Sequence, residues 1–211
     1  MNRRRFLHAA TLMAASAPLL PIAGAPAFAA PGVIDVDAIL NDPATPVAGN
    51  PAGDVTIVAF MDYNCPFCKK SSPDLERFVN DDGKVRLVYK DWPILTNASV
   101  TGAHFALAAK YQDKYREAHV AMMSIHGQKI DDASLLEAVK AAGVDMTQLD
   151  ADLKTHDADI STLLKRNMSE ADLLGLEGTP VFLIGPFKVA KALDYDGFKE
   201  TVADFRARIA K

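Results

Sequence analysis

VTIVAFMDYNCPFCKK, residues 55–70, turns from strand to helix around two cysteines, and the rest of the chain is organised about it. Val55 to Phe60 is a short, apolar, β-branched run of the kind that forms a buried strand. Asp62, Tyr63 and Asn64 break the run, and helical spacing returns from Lys69 to Asn80. The reading places Cys65 at the helix N-cap and Pro66 at the first helical position, where its missing N–H needs no partner. Free backbone N–H groups and the positive end of the helix dipole then stabilise a thiolate at Cys65 and lower its pKa. Cys68, one turn inward, is placed to close a disulfide across the two intervening residues.

Three other uses of the pair compete. A structural zinc site takes about four ligands, whereas the chain has two cysteines and scattered histidines at 8, 104, 119, 126 and 156. A purely structural disulfide over so short a loop stabilises little. Two inert buried thiols fit poorly with a proline between them at a strand–helix junction. A redox-active pair is the reading adopted, with no metal and no cofactor. The rival from another class is an envelope protein holding Cu(I) between the thiolates; the Met- or His-rich tract that would support it is absent. Met122 and Met123 read as core filler, and the histidines as surface or packed residues.

The chain has 211 residues, 49% hydrophobic and 24% charged, an ordinary globular composition. Its N-terminus differs. Arg3, Arg4 and Arg5 precede an Ala-rich apolar stretch interrupted by Pro18 and Pro21, and Ala27-Phe28-Ala29 offers a small-x-small cleavage box before Ala30. Residues 1–29 therefore read as an export signal rather than a membrane span. Arg-Arg-x-Phe-Leu resembles a twin-arginine signal, with the general secretory route as the alternative. Either route leads to the periplasm. Losing the signal removes three arginines and no acid, so the mature chain is more acidic than the −4 of the whole. Such a balance argues against a nucleic-acid partner. Two cysteines in an oxidising compartment are free to pair.

Residues 30–54 form a lead-in, with a short helix at Val36 to Leu40 and then a Pro/Gly/Asn/Asp-dense loop from Asn41 to Asp54. A second strand is expected at Lys84 to Trp92, stopped by Pro93. Residues 97–174 are helical throughout, ending at Gly175. Strands return at Thr179 to Ile184 and Phe187 to Leu193, and Gly197 to Ile209 closes the chain as an amphipathic helix bearing Phe198, Val202 and Phe205. The organisation is an α/β domain from residues 55–96 and 175–211, split by the helical insertion.

Glu177-Gly178-Thr179-Pro180-Val181 is the other informative stretch. A proline opening an apolar strand interrupts the ladder. A cis Thr179–Pro180 bond resolves this and leaves the Thr179 backbone open to an extended substrate peptide. Cys-Pro-Phe-Cys after a strand, a helical insertion and a late Gly-Thr-Pro together resemble the DsbA family of thiol–disulfide oxidoreductases. The likeness is nearest to its exported bacterial branch with Com1-like and ScsC-like members, and runs from about Leu40 to Ile184 through GNPAGDVTIVAFMDYNCPFC, VYKDWPIL and GTPVFLIG.

This resemblance implies a thioredoxin fold with an inserted helical domain, Cys65 as nucleophile, Cys68 as resolving thiol, and Pro180 as the cis-proline after Thr179. Pro66 and Phe67, with Thr179 and Pro180, would shape the site. Two departures stand out. The family's frequent Glu six residues before the first cysteine is Ala59 here, which leaves Asp62 and Lys90 as candidates for a charge that tunes the pair, although a solvated role is the plainer reading of Lys90. Phe67 replaces the His of the most oxidising members and cannot donate to the Cys65 thiolate, so the potential should be lower. The implied activity is disulfide formation in cysteine-containing envelope proteins, with reoxidation by a quinone-linked membrane partner. The alternative is an isomerase or reductase kept reduced by a membrane thiol reductase. About ten residues separate Ala30 from the resembling region, too few for an oligomerisation module, so a monomer is expected.

Overall fold

The computed structural model describes residues 34–127 and 130–210; the segment read as an export signal lies outside them. The elements run α1 (Val36–Asn41), β1 (Val47–Gly49), β2 (Val55–Met61), α2 (Pro66–Asp82) and β3 (Val85–Asp91). Five helices follow: α3 (Asn97–Ala109), α4 (Tyr115–Met123), α5 (Asp132–Ala141), α6 (Met146–Thr155) and α7 (Asp157–Leu173). The chain then returns as β4 (Val181–Ile184), β5 (Phe187–Val189) and α8 (Tyr195–Ile209).

The strands form one sheet in the order β1-β3-β2-β4-β5. β2 and β3 are parallel, joined by α2 as a crossover, and the other pairs are antiparallel. This is the α/β architecture expected, a mixed sheet interrupted by a helical block. Both faces of the sheet are covered. Ile57, Ala59 and Met61 of β2 and Leu87 and Tyr89 of β3 join one core with α2, α8 and the inserted helices. Val58, Phe60 and Val88 point the other way, against Ile39 of α1 and Ala171 of α7. Double burial explains why β2 reads as a continuous apolar run rather than an alternating one.

Two expectations need correction. The stretch read as loop from Asn41 to Asp54 contains the edge strand β1, whose Ala48 pairs with Leu87 of β3. The strand is only three residues long, and the turn formers on either side hide its signal. Gly49 ends it at φ 73, where a Cβ would lie 2.4 Å from the Val85 carbonyl oxygen, so a side chain cannot replace its hydrogen. At the far edge, β5 stops at Val189 rather than Leu193. Between residues 97 and 174 the described residues form α3 to α7 with a 3₁₀ turn at Lys110–Gln112 between α3 and α4, and the helices are separated by short non-helical connections. No helix among the described residues is long and apolar enough to cross a membrane.

Candidate active site

β2 ends at Met61 and delivers the chain to α2 through Asp62, Tyr63, Asn64 and Cys65. Cys65 is the N-cap, with φ −79 and ψ 117, and its sulfur accepts the Cys68 amide at 3.4 Å. Pro66 occupies the first turn and no acidic residue stands there. Both cysteines are free thiols enclosed by the protein. Opposite them the Thr179–Pro180 bond is cis, as the reading of that stretch expects, and the Cys65 thiol donates to the Thr179 carbonyl at 3.2 Å. Residues far apart in sequence thus meet across the end of the sheet.

The two thiols have opposed proton affinities. Cys65 is lowered to about 6, chiefly by the hydrogen bond from the Cys68 side chain, against the cost of burial and with help from Thr179 and the amides of Cys68 and Phe67. Burial pushes Cys68 far above the ordinary thiol range, and its bond to Cys65 adds to this. An outer thiolate therefore rests on an inner thiol that keeps its proton.

Phe67 stands beside the pair, 61% exposed, a large apolar side chain offered to solvent. Asp62 is fully buried. Its oxygens accept the Asn64 amide at 2.7 Å, the Ser99 hydroxyl at 2.6 Å, and the Ile94 and Leu95 amides at 2.8 and 3.0 Å. It pins the active-site loop to the segment leading into α3. The solvated reading of Lys90 is overturned, because its side chain has no exposure and pairs with Glu170 of α7 at 2.7 Å. Lys90 alternates along β3 with Tyr89 and shares its face with Val88, away from the core that holds Cys68.

Sequence reasoning missed a buried polar network under the loop. Tyr63 donates to Asp91 at 2.9 Å, and its oxygen lies 2.9 Å from Nδ1 of His119. Tyr115 reaches both oxygens of Asp91 at 3.1 Å. Nearby, Tyr89 donates to Glu76 at 2.6 Å, and Arg116 donates to the same carboxylate at 2.8 Å. Burial raises Asp91 to about 7 and depresses His119 to about 3, the charges of Lys69 and Arg116 adding to the latter. Gly102 of α3 makes room for this arrangement, since a Cβ there would meet the Tyr63 ring at 3.1 Å. A signal did exist: Tyr115 and His119 are four apart and share a helix face with the buried Met122.

Lys69 was also overlooked. It follows Cys68 directly, and its Nζ donates to the Met122 carbonyl at 2.7 Å, tying α2 to the end of α4. Burial draws its ammonium down to about 8, opposed by the nearby Cys68, Asp62 and Cys65.

A low-pKa thiolate at a helix N-terminus over a protonated partner thiol can open and close a disulfide, since thiolate is both the attacking and the leaving form. Known proteins resemble this chain in sequence and fold. A family model described as Thioredoxin matches residues 41–204. The solved thioredoxin-like oxidoreductase from Silicibacter pomeroyi DSS-3 is 36% identical, over 82% of this chain and 98% of that one, with a TM-score of 0.76. The thiol-disulfide exchange protein alpha-DsbA2 from Wolbachia pipientis is 30% identical, over 80% and 91%, with a TM-score of 0.75. The catalytic domain of Proteus mirabilis ScsC is 29% identical, over 81% and 94%, with a TM-score of 0.69. Among curated relatives the chain spans only about a quarter of the length of Na(+)/H(+) antiporters such as NhaA 3 of Salinispora tropica, which is 26% identical over 172 residues.

Proposed function

Since this chain belongs to the thioredoxin family and is a thiol–disulfide oxidoreductase of the DsbA type, we propose that it forms disulfides in cysteine-containing envelope proteins through Cys65 and Cys68. The carrying observation is the opposed proton affinity of the two thiols, Cys65 lowered to about 6 and Cys68 raised. In the oxidised enzyme a substrate thiolate attacks the Cys65 sulfur. The Cys65–Cys68 bond breaks, a substrate–Cys65 bond forms, and the Cys68 sulfur leaves and takes up a proton. A second substrate thiolate then attacks the substrate sulfur of this mixed disulfide. Cys65 departs as a thiolate, a good leaving group because its thiol holds its proton weakly. The substrate loses two electrons and the enzyme is left as the dithiol.

Thr179 and Pro180 hold the substrate segment against Cys65, and Pro66 and Phe67 shape the surface it meets. The 3.2 Å approach of Cys65 to the Thr179 carbonyl supports this division of roles. The Asp62 and Lys90 side chains act on the pair only indirectly, Asp62 by fixing the loop and Lys90 by fixing β3 against α7. The N-terminal sequence supports export by a cleaved signal of twin-arginine type, with the mature protein periplasmic and monomeric. A quinone-linked membrane partner would then restore the disulfide.

One observation favours the reverse direction: the Phe67 side chain, unlike its amide, gives the Cys65 thiolate no hydrogen bond, which weakens the pull toward the reduced form. Incubating the oxidised protein with a reduced two-cysteine peptide should yield cyclised peptide and enzyme dithiol in equal amounts. Absence of peptide oxidation would refute the activity. Acid quench and alkylation in the native envelope sets the direction: a mostly oxidised pair means disulfide donation, and a mostly reduced pair means isomerase or reductase work.

A further inference from the structure

A groove of about 410 Å³ opens beside the reactive thiol. Pro66, Lys69, Lys70 and Pro73 line it from one face of α2, and Ile125 and His126 close it from the chain beyond α4. Among the described residues no aspartate or glutamate lines it, although the whole chain carries 27 acidic against 23 basic residues. The groove is a basic spot on an acidic protein. Lys70 is exposed and makes no ion pair or hydrogen bond among the described residues. Lys69 spends one of its three donors on the Met122 carbonyl and has two left.

We propose that this groove selects substrate segments carrying a carboxylate side chain within one to three residues of the reacting cysteine. The inference rests on the oxidoreductase reading and names the substrate class of the same site. The reach fits. Lys69 and Lys70 lie three and four residues along α2 from Pro66, about 5–6 Å of helix rise. An extended substrate bonded to Cys65 covers about 3.3 Å per residue, so its second or third residue arrives over the lysines. The exposed Phe67, on the same turn, offers apolar contact to the rest of the segment.

The test uses the full mature protein and three reduced two-cysteine peptides, identical except for Glu, Gln or Lys two positions from the first cysteine. Rates of peptide oxidation are measured in low and high salt, each normalised to the same peptide's reaction with hydroxyethyl disulfide to remove differences in intrinsic thiol reactivity. At low salt the Glu peptide should react about 3- to 10-fold faster than the Gln peptide, as expected for an ion pair at a partly buried site, with the Lys peptide slowest. The spread should narrow in 0.5 M salt as screening grows. Lys70→Glu leaves Lys69 facing a carboxylate, so the advantage of the Glu peptide over the Lys peptide should disappear. Equal normalised rates for the three peptides in low salt overturn the inference while leaving the oxidoreductase reading intact. Failure to oxidise any peptide, or dithiothreitol, overturns that reading and this one with it.

Discussion

At the scale of single residues the site depends on how Cys65 is stabilised. Its depressed pKa rests first on the Cys68 side chain and only then on Thr179 and the helix amides. Titrating the reduced protein by thiolate absorbance near 240 nm should give an apparent pKa near 6, and Cys68→Ala, which removes the side-chain donor, should move it up toward the ordinary thiol value. The linkage has a definite sign. A thiol whose folded pKa is depressed adds stability to the reduced form that is full above the ordinary value of 9.0 and is lost as pH falls through about 6. The urea midpoint of the reduced form should therefore gain on that of the oxidised form as pH rises across this window. A second prediction concerns Phe67. Phe67→His supplies a donor to the thiolate and should raise the reduction potential, by about 30 mV for each 1.4 kcal/mol of added stabilisation, measured by equilibration with glutathione. Most of this scale was legible in the sequence, because N-cap position, proline at the first helical site and two-residue spacing are local rules. Lys69 was not, since its importance comes from the Met122 carbonyl of a distant helix.

At the scale of elements, buried charges join the sheet to the inserted helices. Lys90 of β3 and Glu170 of α7 pair where neither is well solvated. Lys90→Met should cost about 3–5 kcal/mol, because it leaves Glu170 uncompensated, while the double change with Glu170→Leu should recover most of the loss. Denaturant midpoints of the single and double variants check this. Periodicity could not reveal the pair, since a lysine in an alternating strand and a glutamate in a polar helix each look solvated until the elements are packed. The same holds for Asp91 and His119, which act in opposite senses. Asp91 is raised to about 7, so its contribution is full below its ordinary 3.8 and is lost as pH rises through about 7. His119 is depressed to about 3, so its contribution is present above 6.5 and is lost as pH falls through about 3. The two offset each other between pH 4 and 6.5. Asp91→Asn removes one side, and the variant's stability should climb with pH across that window more steeply than that of the parent, as followed by urea unfolding.

At the scale of the whole molecule, the C-terminal helix closes the sheet domain. Arg206 of α8 reaches Asp54 ahead of β2 at 2.7 Å and Asp82 at the end of α2 at 2.7 Å. Both carboxyls are held below their ordinary value, mainly by the hydrogen bonds from Arg206. Arg206→Met should therefore destabilise by about 1 kcal/mol after allowance for solvent screening. The loss should be full above pH 4 and disappear as pH falls through the depressed carboxyl values, when the parent loses the same contribution. The overall plan of a sheet split by helices was readable from the order of apolar patterns, since β2, β3 and β4 are long or flanked by clear breakers. The edge strand β1 was not, because three residues among turn formers carry no period. Its pairing is decided by β3 rather than by its own sequence.

The central claim is that Cys65 exchanges disulfides and Cys68 resolves them. Cys68→Ser removes the resolving thiol and should stop the reaction halfway. Incubated with a peptide disulfide, this variant should accumulate a reducible adduct whose mass and fragments place the substrate on Cys65, and the adduct should be missing when Cys65 is also changed to Ser. An adduct that forms equally well without Cys65, or no adduct at all from a folded Cys68→Ser protein, would contradict the account.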